Sequence, residues 1–102
     1  MEEKLFYPAV FHKEENGYWV SFPDVPEALT EGNNIQEAYK MTVYCLKLAL
    51  TVKIDENTPL PTPSFFKNIK LQDNESLIAV EFDLLDYKKQ TKSRAQNTKI
   101  EV

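Results

Sequence analysis

The sequence predicts an α+β domain in the order β-β-β-α-β. Two alternating apolar runs flank an Asn-Gly pair near the N-terminus. One stretch, 35–53, contains neither Gly nor Pro and repeats with a helical period. A last alternating run, 76–82, follows a Pro-rich connector. At 102 residues the chain is one compact domain, and a core this small gains from an oligomeric neighbour.

The first run, "KLFYPAVFHK" (4–13), has strand character. Leu5, Tyr7, Ala9 and Phe11 share one face, and Phe6, Pro8, Val10 and His12 the other. Pro8 has no N–H for a ladder, so it implies an edge position or an unpaired site. "KEENG" (13–17) ends in Asn-Gly, a hairpin signal, and "YWVSF" (18–22) is the return strand. Pro23, Asp24 and Pro26 then form a rigid corner, with Asp24 fixing a turn through its carboxylate. "EALTEG" (27–32) reads as a short third strand, with Gly32 and Asn33 offering a positive-φ turn.

Asn34, three residues before Glu37, makes an N-cap with a capping-box partner. In the helix, 35–53, Gln36, Glu37, Lys40, Tyr44, Lys47 and Thr51 fall in one arc of about 100°. Nearly everything else is apolar, about twice the stripe a one-sided surface helix needs. Ala38, Thr42, Cys45 and Ala49, at the centre of the apolar side, are small enough for close approach to a sheet. The large flanks predict a second cover, either the C-terminal segment or another subunit. "DENTPLPTPS" (55–64) is an extended connector, and Ser64 is expected to cap a turn through "FFKNIK". In the last strand Ile78, Val80 and Phe82 share a face, and "TKIEV" (98–102) alternates as a possible extra strand.

Charge divides the chain in two. Residues 88–102 hold five Lys/Arg and one acid, a balance of +4, whereas residues 1–87 carry −8. The expected division is therefore a domain at 1–87 and a basic tail at 88–102. An acidic body suits a basic protein partner and repels nucleic acid; the tail does the reverse. No apolar run reaches the roughly 20 residues of a membrane helix. The acidic N-terminus is unlike a signal peptide, and one cysteine, Cys45, fits a reducing cytoplasm.

Chemistry-bearing residues are few. His12, the one histidine, has no serine, cysteine or acid at a catalytic spacing and reads as structural. Cys45 lies on an apolar helix face, where cysteines behave as small hydrophobes. One Cys and one His make no metal site, and two glycines make no phosphate loop. The carboxylates do not converge as a two-metal nuclease requires. Tyr18, Trp19, Phe65 and Phe66 lack interleaved basic residues and read as core or interface rather than base-stacking groups. No catalytic residue, metal ligand, cofactor or small-molecule substrate is expected. By elimination, the activity is contact with another macromolecule.

"YPAVF" (7–11), "YWVSFPDVPEALTEG" (18–32), "IQEAYKMTVYCLKLAL" (35–50), "LPTPS" (60–64) and "LIAVEFD" (77–83), in this order, resemble the HicB-like antitoxin family. The resemblance covers residues 5 to about 85. It implies a partial ribonuclease-H-like domain in a toxin–antitoxin pair. The partner would be a HicA-like toxin, a small basic ribonuclease whose active site the antitoxin blocks. It also implies a homodimer or higher oligomer. Where the family usually has Gly and often Cys after the second proline, this chain has Glu27 and Ala28. The resemblance gives no toxin contacts residue by residue; charge and exposure favour Glu14, Glu15, Asp24 and Glu31. The tail resembles the lead-in and first strand of a ribbon–helix–helix unit. Lys88, Lys89, Lys92, Arg94 and Lys99 would then contact operator DNA, although such a ribbon needs helices to support it. Three other readings are a repressor acting through the tail, an oligomeric module without a toxin, and a ribonuclease-H-like nuclease.

Overall fold

The computed structural model describes residues 4–85. The expected boundary at 87/88, the strand at 98–102 and all five tail cations lie outside them. Strands β1 (Lys4–Glu14), β2 (Gly17–Ser21), β3 (Leu29–Gly32) and β4 (Glu75–Asp83) form one antiparallel sheet in the order β3-β2-β1-β4. The helix α1 (Ile35–Asp55) lies on one face. This is the β-β-β-α-β order that the sequence predicts, apart from one 3-10 turn, Phe66–Asn68, before β4.

Two local expectations are corrected, and for Pro8 one of two alternatives is selected. β1 is an inner strand, so Pro8 is not at an edge of the sheet. Its pairing with β2 begins only at Val10, while Pro8 faces Ala79 of β4. An unpaired site on the β2 side accommodates a residue without an N–H. The hairpin turns at Glu15 and Asn16, with Gly17 (φ +152°) already opposite Glu14. Gly32 has no positive φ; it is glycine because a Cβ there would lie 2.4 Å from Ala38 N, where β3 runs against the helix.

The helix begins as the sequence predicts. Asn34 Oδ1 accepts from Glu37 N at 2.8 Å, and the Glu37 carboxylate accepts from Asn33 N. Ala38, Thr42, Leu46 and Leu50 form its buried stripe, one residue every fourth position. Thr42 donates its hydroxyl to Ala38 O at 2.6 Å, so its burial leaves no unmet donor. Against this stripe pack Tyr7, Phe11, Val20, Phe22, Val80 and Phe82. Both flanks of the helix are open among the described residues: Tyr39 and Val43 on one side, Met41, Leu48 and Val52 on the other.

The Pro-rich corner is tied to the distant connector. Val25 N donates to Phe22 O and Ala28 N to Val25 O, two successive turns. The Asp24 carboxylate accepts from the backbone N–H of Ser64 at 2.8 Å and from its hydroxyl. Ser64 therefore anchors the connector instead of capping the Phe66–Asn68 turn, which has no side-chain cap. Beside it, Tyr7 donates its hydroxyl to Pro61 O at 2.7 Å. Burial, then the Asp24 carboxylate, pushes the Tyr7 phenol up to about 12.

Candidate functional site

A cleft of about 670 Å³ lies at the hairpin end of the molecule. The β1–β2 turn brings Glu14 and Glu15, β3 brings Glu31, and the first turn of α1 brings Glu37. Trp19 and Met41 supply apolar wall, and among the described residues no Lys or Arg lines the cleft. Lys13, next to Glu14, is turned onto the Tyr18 ring, 4.9 Å from its centroid. Four carboxylates around one concavity favour a positively charged surface, and the aromatic wall adds a face on which a guanidinium or ammonium group can rest.

Three of the four acids expected at the interface, Glu14, Glu15 and Glu31, are thus brought together. Asp24 is not among them. Its carboxylate holds Ser64 in the connector, so its evident role is architecture. Glu37 was missed because its capping-box role accounts for it; that role leaves it beside the cleft. The five tail cations, Lys88, Lys89, Lys92, Arg94 and Lys99, lie outside the described residues.

A second depression of about 520 Å³ runs beside the helix, between Ala28 and the flank of Cys45, Leu48, Ala49 and Val52. Its rim carries the Lys53–Glu27 ion pair at 2.8 Å, which holds the Glu27 carboxyl below its ordinary value. The Cys45 thiol, pushed up by burial, points at Leu29 O, 3.7 Å away. That is an inert setting for a thiol.

His12 is less isolated than its sequence neighbourhood indicates. Register places Ser21 and Glu75 on either side of its ring. The hairpin turn fixes His12 opposite Trp19 and thereby brings Ser21 near, a relation legible in principle from residues 12–21. Glu75 arrives from β4, whose register no local signal sets. Among the described residues, no group of three or more His, Cys, Asp or Glu could hold a metal ion, and no helix is long and apolar enough to cross a membrane.

Comparison with known proteins agrees with this architecture. Residues 6–86 match the model of the HicB-like antitoxin of bacterial toxin–antitoxin systems. Antitoxin HicB 2 of Photorhabdus laumondii is 39% identical over 64 residues, 63% of this chain and 46% of that protein. A chain of a toxin–antitoxin complex from Streptococcus pneumoniae superposes with a TM-score of 0.71 at 26% identity, covering 82% of this chain and 72% of that one. The N-terminal domain of Burkholderia pseudomallei antitoxin HicB gives a TM-score of 0.70 at 22% identity, covering 78% of this chain and all of that domain, and so shares the fold. The chain spans less than half the length of the curated relatives it matches. With four-fifths of its residues inside the family pattern, and with the sheet, helix and connector that the pattern implies, this chain belongs to the HicB-like antitoxin family.

Proposed function

We propose that this protein is an antitoxin that binds a HicA-like, RNA-cleaving toxin and neutralises it by contact, without enzymatic activity of its own. The observation that carries the reading is the acidic cleft on a domain of this family. Glu14, Glu15, Glu31 and Glu37 converge there, with no lining cation among the described residues. A small basic ribonuclease is the partner such a surface attracts, because complementary charge speeds encounter and fixes orientation. The cytoplasm, where messenger RNA is cut, is the compartment that fits one unpaired cysteine.

The test is a titration with a basic HicA-like toxin, following complex formation and RNA cleavage in the same samples. A saturable complex that silences cleavage is expected. Reversing the cleft with Glu14→Lys and Glu31→Lys together should weaken binding by at least about tenfold and flatten its salt dependence. Retention of full affinity in that variant would move the interface elsewhere. Failure of the unaltered chain to bind or inhibit any such toxin would remove the antitoxin reading.

The +4 balance of residues 88–102 favours a second role, operator-DNA binding through Lys88, Lys89, Lys92, Arg94 and Lys99. Operator affinity that falls steeply between low and moderate salt, and vanishes when these five are neutralised, is the expected result. The open apolar flanks of α1 favour a homodimer or higher oligomer.

A further inference from the structure

A second group of reactive side chains lies away from the acidic cleft, on the sheet face opposite α1. His12 of β1, Ser21 of β2 and Glu75 of β4 meet there from three different strands. His12 pairs directly with Glu75, and Ser21 pairs with Val10, two residues along the same face. Glu75 Oε2 is 2.9 Å from His12 Nδ1, and Ser21 Oγ is 2.9 Å from His12 Nε2.

The chemistry of the partners fixes the state of the ring. An ionised carboxylate only accepts, so Nδ1 carries the proton. In the neutral imidazole, the Nε2 lone pair then faces the Ser21 hydroxyl. The Trp19 indole lies flat on the imidazole, with centroids 3.5 Å apart and planes within 4°, so the ring is held against turning. His12 is 9% exposed, whereas Ser21 is only half-buried and can meet a reagent from solvent. A hydroxyl, a base within hydrogen-bond reach of it, and a carboxylate orienting the base are the parts of an activated nucleophile.

We propose that Ser21 is an acylation site, its hydroxyl activated by His12 and Glu75 toward activated acyl esters. Oγ attacks the acyl carbonyl carbon while Nε2 takes the hydroxyl proton. The new Oγ–acyl bond forms, the bond to the leaving alkoxide breaks, and Nε2 returns the proton to that group. Glu75 stays ionised throughout and stabilises the transient imidazolium. No atom changes oxidation state. Ser21 lies in a strand paired with Val10 on one side and Leu29 on the other. It therefore lacks the exposed turn whose free N–H groups stabilise an oxyanion in serine hydrolases. The expected outcome is one-time acylation of Ser21 rather than rapid turnover.

The experiment exposes the full chain to a small excess of p-nitrophenyl acetate. It follows nitrophenolate release and locates the acetyl group by peptide mass spectrometry. Acetylation of Ser21 well ahead of Ser64 and Ser76 in the same molecules is expected. His12→Gln should slow the Ser21 reaction by about 100-fold or more, the usual worth of a positioned general base. Glu75→Gln should slow it by a smaller factor. Ser21 reacting no faster than Ser64 and Ser76 in the unaltered protein overturns the proposal, and that comparison requires no variant to fold. An unchanged Ser21 rate in folded His12→Gln protein, verified by circular dichroism, overturns it equally.

Discussion

The two faces of β1 are both buried near the middle of the strand, by different means. On the helix face, Tyr7, Ala9 and Phe11 are fully buried within the core that α1 closes. On the opposite face, Pro8, Val10 and His12 are also buried, yet no second layer of secondary structure covers them among the described residues. The cover of His12 is lateral: Trp19 lies over it, with Ser21 and Glu75 against its ring. At the end of the strand this lateral cover runs out, and Phe6 is 51% exposed. A strand with neighbours on both sides can thus bury its centre under a single layer, provided the polar groups there are hydrogen-bonded to each other.

Phe11→Ala should break the closed face most severely. Emptying a fully buried aromatic site costs about 3–5 kcal/mol, readable as a lower denaturant midpoint with a similar slope. Gly32→Ala should follow at about 2–3 kcal/mol. The added Cβ would meet backbone atoms of Ala38 at 2.4 and 2.6 Å, so the helix rather than a side chain must move. A loss below about 0.5 kcal/mol there would mean that β3 and α1 separate more easily than their packing implies.

Tyr7 allows a pH test of the same face. Its phenol ionises near 12 in the folded protein and near 10 when unfolded, so the fold favours the neutral form. The associated stability is complete below pH 10 and is lost as pH rises from about 10 toward 12. Tyr7→Phe should cost about 1 kcal/mol at neutral pH by removing the bond to Pro61 O, and should reduce the alkaline loss. Equal alkaline slopes in the two proteins would show that other groups set the base limb. The smallest effect is expected on the open face, where Phe6→Ser should cost under about 1 kcal/mol. A cost near that of Phe11→Ala would reveal a partner covering that face, and concentration-dependent melting would identify a second copy.

Much of this architecture was legible because it is written in short spacings. The three-residue interval from Asn34 to Glu37 specified the helix start, and the cap bond is present. The alternation of Ile78, Val80 and Phe82 specified the inward face of β4, where Val80 and Phe82 are buried. The acids at 14, 15 and 31 were recognisable as exposed charge near a hairpin. Other features depend on contacts that form only in the folded chain, and local pattern carries no sign of them. Asp24 could be read as a turn former or as an interface acid; its bond to Ser64 assigns it to the corner's architecture. Gly32 read as a turn glycine until the approach of Ala38 gave it a different reason.

By itself, the sequence determined the α+β class, the order of its elements, the helix start and the family, because each rests on periodicity, capping or a run of residues at fixed spacing. Only the tertiary structure decided that β1 lies inside the sheet, that Glu37 joins the acidic cleft, and that Glu75 joins His12 from β4. The physical reason is register. Antiparallel pairing of β1 with β4 sets His12 against Glu75, 63 residues away along the chain, and a slip of one residue would send Glu75 to the other face.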